Sequence, residues 1–209
     1  MEQSDDVVTI SVDEKTGIQA KQNIKITTAK SGQVKRVDPE YKRNGTTCLI
    51  AGMNIMDGEV TKYQLGQTRN EEDFCKFIES IIDKYPNKKI VFVADQLNTH
   101  KSESLVKLIA DKINYDSDLG KKGRCGILKT MKSRMEFLED KDHKIRFQYT
   151  PKHCSWLNQI ENWFGRLQKH VIRNGQFNSV ANLERKITNY IEYYNERWKK
   201  PIEWCFGGF

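Results

Sequence analysis

The run Ile90-Val91-Phe92-Val93-Ala94 constrains the fold more than any other segment of the chain. Five consecutive apolar residues, three of them β-branched, give no alternation, so neither face of such a strand can meet water. A strand of this kind needs cover on both sides, and the flanking sequence supplies it. Glu71 to Lys84 carries Phe74, Phe77, Ile78, Ile81 and Ile82 on one helical stripe, with acidic residues in the first turn. Ser102 to Ile113 repeats the helical spacing with Leu105, Leu108 and Ile109. Earlier strands are expected at Val7–Val12, Thr46–Asn54 and Val60–Leu65, the last two joined at Met56-Asp57-Gly58-Glu59, a hairpin signal. Lys15-Thr16-Gly17 reads as a turn. Ile145 to Tyr149 is a further strand. Ser155 can cap a helix starting near Leu157, with Leu157, Ile160, Phe164, Leu167 and Val171 inward, and Ser179 opens a last helix. The order predicts an α/β fold, a mixed sheet flanked by helices.

The 209 residues suit one domain, and 37% hydrophobic residues suffice for a core. No apolar run approaches the ~20 residues that cross a bilayer. The acidic, polar start is no secretory signal, so a cytoplasmic, nucleoid-associated protein without membrane partners is expected. Five scattered cysteines (Cys48, Cys75, Cys125, Cys154 and Cys205) form no C-x-x-C pair, which argues against a disulfide framework or zinc ribbon. The net charge of +7 is uneven. Residues 1–114 hold 17 basic and 17 acidic residues, so the whole excess lies in the second half. A basic half beside a neutral half favours a polyanionic partner.

Two expected strands end in an aspartate: Asp13 after TISV and Asp95 after IVFVA. Open α/β sheets bind ligands at strand ends. A carboxylate directly after a buried strand must be capped, paired or metal-bound. Glu161 is the third member. At about 100° per residue it lies on the border of the apolar stripe of its helix, sharing an edge with Asn158 and Gly165. Three converging carboxylates form an oxygen-rich site for hard divalent cations, chiefly Mg²⁺, and two such ions about 4 Å apart can drive phosphodiester chemistry.

The motifs around these residues are recognisable. Asp95 lies in DQLNTH, Glu161 in TPKHCSWLNQIENWF and Asp13 in VDEKTGIQA, with KPIEW near the end. Together they resemble the catalytic domain of bacterial insertion-sequence transposases of the mariner superfamily, the insertion sequence 630 type, from about Val7 to Trp204. The resemblance implies a ribonuclease-H-like fold with a DDE triad of Asp13, Asp95 and Glu161, holding two Mg²⁺ or Mn²⁺ ions. It implies DNA as partner: cleavage at terminal inverted repeats, then strand transfer into target DNA at TA sites by a homodimer. Asn98 and His100 belong to the same motif; they either orient Asp95 or the DNA, or cap the following helix. Asn158 is grouped with them as an orienting residue.

Two departures stand out. Asp95 and Glu161 are 66 positions apart, wider than in many relatives, the excess matching a basic insertion at 115–144. Only 12 residues precede Asp13, so the helix-turn-helix recognition region of the family is expected to be absent or separately encoded. The alternatives are therefore an inactive relic that binds DNA or dimerises, and a stand-alone nuclease of the same fold. Lys121, Lys122 and Arg124, with Lys129, Lys132 and Arg134, form either a DNA-contacting flap or a solvated face. Lys152, Arg166, Lys169 and Arg173 are further candidates for phosphate contacts. His153-Cys154 lacks partners for a metal and reads as loop. The four tryptophans are expected mainly in packing, Trp156 included, although it could also stack on a base.

Overall fold

The computed structural model describes residues 6–24 and 40–202. Residues 1–5, 25–39 and 203–209, with Trp204 and Cys205 among them, lie outside that range.

Five strands form one mixed sheet: β1 (Val7–Asn23), β2 (Tyr41–Asn54), β3 (Val60–Gly66), β4 (Lys89–Ala94) and β5 (Ile145–Tyr149), in the order β3-β2-β1-β4-β5. The β1–β2 and β2–β3 pairs are antiparallel, whereas β1–β4 and β4–β5 are parallel. Helices α1 (Glu71–Lys84), α2 (Glu103–Lys112) and α3 (Met131–Leu138) pack on one face around Ile10, Val12, Phe92 and Phe147. Helices α4 (Gln159–Leu167) and α5 (Val180–Arg197) cover the other around Leu49, Met53, Ile160 and Ile187. The two-sided cover that the IVFVA run demands is thus present, and Ile90, Phe92, Val93 and Ala94 are all buried.

Local chemistry sets the helix starts. Asn70 and Asp73 form a capping box on α1, and Glu71 and Glu72 place further negative charge at its positive end. Ser102 caps α2 by accepting the Leu105 N–H. Thr130 and Ser133 form a second capping box. This starts α3 at Met131, after a turn at Gly126, whose φ is 68°. The insertion is no detached flap. Leu119, Ile127, Leu128, Phe137 and Leu138 join the core beneath α1 and α2. Arg134, a candidate for DNA contact, is only 7% exposed and its Nε donates to the Thr130 carbonyl at 3.2 Å.

Strand β1 corrects the sequence reading. It does not stop at Val12 but runs on to Asn23, paired with β2 throughout. The supposed turn at Lys15-Thr16-Gly17 is a bulge, a register shift between Lys15 and Ile18 with Gly17 at φ 63°. The bulge changes the strand's parity. Before it, Val8, Ile10 and Val12 point to the α1–α3 side; after it, Ile18 and Ala20 point to the α4–α5 side. The α4 helix also begins later than expected, at Gln159 rather than near Leu157, and Ser155 is not its cap.

Candidate active site

The parallel β1–β4 register builds the site. The last pair is Ser11 with Val93, and Asp13 and Asp95 each stand two residues further along their strands. Asp13 is therefore a mid-strand residue, not a strand terminus. It lies where β1 outruns β4, and it is 3% exposed. By strand alternation Ser11 and Asp13 share the face opposite Ile10 and Val12, the face that α4 covers.

Helix α4 is fixed to that face by side chains of β1. Asn158 occupies the N-cap position, yet its side chain does not cap. Its Nδ2 donates instead to the Val12 carbonyl at 2.9 Å and to Asp13 Oδ2 at 3.3 Å, while its Oδ1 accepts from Ser11 Oγ. Ser11 Oγ in turn accepts the Ile160 N–H at 2.9 Å. A strand residue thus satisfies the orphan amide that an N-cap side chain would normally take. One residue beyond Ile160 is Glu161, half-buried in the first turn of α4. Its charge contributes to the rise in the Asp13 pKa. Apart from its own helix backbone, nothing stands within 4 Å of where a Gly165 Cβ would be, so the turn after Glu161 is open.

His100 organises the other carboxylate. Its Nδ1 is 2.7 Å from Asp95 Oδ1 and its Nε2 is 3.0 Å from Glu14 Oε2. The imidazole and the Glu14 carboxylate are essentially unexposed. The ring lies 4.3 Å from that of Phe74, and the Tyr149 hydroxyl donates to the His100 carbonyl at 2.5 Å. Expectation allowed His100 to orient Asp95 or the DNA, or to cap a helix; it contacts Asp95, and the cap of α2 is Ser102. Asn98 is exposed and its side chain makes no cap hydrogen bond.

The electrostatics follow. Burial, with the neighbouring Asp95 charge, pushes the Asp13 carboxyl up to about 7. Burial also acts to raise Asp95, but the hydrogen bond and charge of His100 outweigh it and hold Asp95 below its ordinary value. Burial acts to lower His100; Asp95 and Glu14 reverse this and raise it to about 10.

The ligand atoms of Asp13, Asp95 and His100 all lie within 4.8 Å of one another. Both His100 nitrogens are already engaged by carboxylates, so the imidazole is better placed to steer Asp95 than to ligate. Two acidic groups side by side, one of them buried and driven toward neutrality, suit a hard divalent cation in their midst.

The candidate cations lie at the surface. Lys121, Lys122, Arg124, Lys152, Arg166, Lys169 and Arg173 are all exposed. Arg166 lines a cavity of about 590 Å³ with Trp163, Trp198 and Lys200. Trp163 packs between α4 and α5, with ring centroids 6.2 and 6.0 Å from Tyr190 and Tyr194. Trp156 departs from the packing expected of it and is 65% exposed. Cys48, Cys75, Cys125 and Cys154 are free thiols. No helix among the described residues is long and apolar enough to cross a membrane.

Sequence reasoning missed two residues of the site. Glu14 reads as the end of a strand, and Ser11 as one more β-strand position. Signals for both exist: Ser11 alternates with Asp13, and Glu14 adjoins it in the VDEKTG motif.

A mixed five-stranded sheet flanked by helices, with acidic side chains gathered where its central parallel strands diverge, is a ribonuclease-H-like fold. The sequence profile of the DDE superfamily endonucleases matches residues 8–184, and the chain belongs to that family. Among solved structures, it is similar to a pre-cleavage Mos1 transpososome, at 12% identity and TM-score 0.53 over 91% of this chain and 51% of that one. It is also similar to the Mos1 transposase paired-end complex with left transposon end, at 13% identity and TM-score 0.52 over 95% and 50%. The chain spans about half the length of these relatives. No curated protein sequence matches it.

Proposed function

We propose that this chain is the catalytic domain of a DDE transposase, cutting DNA at transposon ends and joining the freed end to target DNA. The observation that carries the reading is the shared register of Asp13 and Asp95, with the helix that bears Glu161 fixed to β1 through Ser11 and Asn158. Asp13, Asp95 and Glu161 would hold Mg²⁺ or Mn²⁺, as a pair of ions in the fullest form of the reading. Bound there, the cation supplies Lewis-acid activation of an attacking hydroxyl and steadies the leaving oxygen.

The chain's own residues prepare that site. His100 keeps Asp95 ionised and aimed, with Glu14 behind it. Asn158 donates to Asp13 and ties it to α4. In the first step a water oxygen bonds to phosphorus and the P–O3′ bond breaks, which leaves a 3′-hydroxyl. In the second the oxygen of that hydroxyl bonds to a target phosphorus and the target's own P–O3′ bond breaks, which frees a 3′-hydroxyl on the target strand and passes the attacking proton to solvent. Lys121, Lys122, Arg124, Lys152, Arg166, Lys169 and Arg173 offer phosphate contacts, and exposed Trp156 and Asn98 offer contacts to bases or sugars. Insertion at TA dinucleotides and action as a homodimer, with a recognition half from the same or another chain, complete the reading.

The test is nicking of a supercoiled plasmid that bears the element's own ends, with the recognition half supplied. Cleavage with Mg²⁺ or Mn²⁺, none with a chelator, and loss of cleavage in Asp13→Ala, Asp95→Ala and Glu161→Ala are expected. Salt-sensitive DNA retention without any metal-dependent cleavage would instead mark a relic. Cleavage without end preference or strand transfer would mark a general nuclease.

A further inference from the structure

Beyond Ser11, strand β1 has parted from β4, and a groove of about 430 Å³ opens beside it. One wall is β1 from Lys15 to Lys21; the other is the π-helical turn Gln168–Ile172 and Arg173, which continue α4. Three cations line the groove, Lys15, Lys21 and Arg173, together with the amides of Gln19 and Gln168. No carboxylate lines it, and among the described residues none of the three cations is in an ion pair closer than 4 Å. Lys21 and Arg173 are exposed, and Lys15 is half-buried.

Both walls are irregular in ways that build the groove. The bulge between Lys15 and Ile18 turns Ile18 and Ala20 into the core and leaves Gly17 at the rim, with no atom within 4 Å of a Cβ there. The widened helical turn moves Arg173 off the α4 repeat; such turns recur at functional sites. The groove also starts at the proposed active site. Lys15 stands two residues past Asp13, about 7 Å along the strand, and Lys21 at most roughly 25 Å away. Consecutive phosphates of one duplex strand rise about 3.4 Å each, so a track of this length takes several.

We infer that this groove holds the phosphodiester backbone of duplex DNA leading away from the cleavage site. Lys15, Lys21 and Arg173 neutralise phosphates, and Gln19 and Gln168 donate to their oxygens. With cations and amides all engaged on phosphates, the groove serves flanking DNA of any sequence. The inference rests on the proposed function, but it concerns binding and is tested apart from cleavage.

The probe is a fluorescent duplex of mixed sequence, about 20 base pairs long, titrated with the full chain from about 50 to about 200 mM NaCl. Each phosphate contact steepens the fall of log K against log salt by about 0.9. Lys15→Gln, Lys21→Gln and Arg173→Gln should each make the slope shallower by about one unit, and the triple variant by about two to three. A control triple of equal charge change, Lys76→Gln, Lys89→Gln and Lys107→Gln, should keep the wild-type slope. Equal losses in both triples, a wild-type slope in the groove triple, or no duplex binding by the wild-type chain at the lowest salt would each overturn the groove. A groove-dependent slope without metal-dependent nicking would overturn the catalytic reading and leave the groove standing.

Discussion

Ser11 caps a helix in which it does not lie: its Oγ accepts the Ile160 N–H at 2.9 Å across 149 residues of sequence. The same hydroxyl donates to Asn158, whose amide nitrogen bonds Asp13. One serine thereby sets the distance between the strand that carries the first carboxylate and the helix that carries the third.

Ser11→Ala removes the cap and leaves the buried Asn158 oxygen and the Ile160 amide without partners. The expected loss is about 1–3 kcal/mol of unfolding free energy, measured by urea denaturation. Divalent-cation affinity should fall with it, since Glu161 loses its anchor. A variant of wild-type stability and affinity would show that α4 is held by packing alone.

His100→Ala should be more severe. It strands the Glu14 carboxylate, almost fully buried, and frees Asp95 to drift. Breaking a buried pair by removing one partner costs about 3–5 kcal/mol. Glu14→Gln keeps a hydrogen-bond partner for Nε2 and should fold, while the His100 pKa drops as one of its two carboxylates is lost. The histidine resonances in NMR report that drop directly.

The metal-free protein should lose stability as pH rises. Asp13 stays protonated in the fold up to about 7, above its ordinary 3.8, so its folded form is favoured at low pH and penalised through that window. His100 is raised from 6.5 to about 10; the stability it contributes is complete below 6.5 and is lost as pH climbs toward 10. Both act in the same direction. Mg²⁺ or Mn²⁺ should raise the melting temperature, and more at pH 8 than at pH 5, because the cation favours ionised Asp13. An apo melting temperature that rises across this range would contradict the assigned protonation states.

Asp13→Asn should abolish cleavage yet stabilise the metal-free fold at pH 8, because it removes a buried charge beside Asp95. Glu161→Gln should abolish cleavage with little change in stability, since that carboxylate is only half-buried. Thermal melts and the plasmid assay together separate these effects. A destabilised Asp13→Asn would mean that the ionised carboxylate is structurally useful on its own.

Much of the architecture was legible because periodicity reported burial faithfully. Glu71–Lys84 and Ile145–Tyr149 have the bounds that their apolar spacing indicates. The stretch from Lys15 to Asn23 was not legible. It is polar and contains a glycine, yet it is strand because β2 pairs with it and its other edge carries no strand partner. Asp95 as a candidate follows from a strand end and Glu161 from helix arithmetic, whereas Asp13 rests on an expected strand end that is not there, since β1 runs on to Asn23. Their neighbours Ser11 and Glu14 carry only the weak signal of standing beside Asp13 in the strand; their partners, Ile160 and Asn158 for Ser11 and His100 for Glu14, come from distant parts of the chain.

The bulge after Lys15 has a further consequence for how this domain can vary. A strand's side chains alternate with period two, so one extra residue works like a phase shift in a repeating signal. Upstream of it β1 presents Ser11 and Asp13 toward α4; downstream it presents Ile18 and Ala20 there instead. Removing a single residue at Gly17 would put the two halves back in phase and turn Ile18 and Ala20 away from the core they fill. Length at this point is therefore strictly set, even though the Thr16 side chain there is exposed and fills no part of the core.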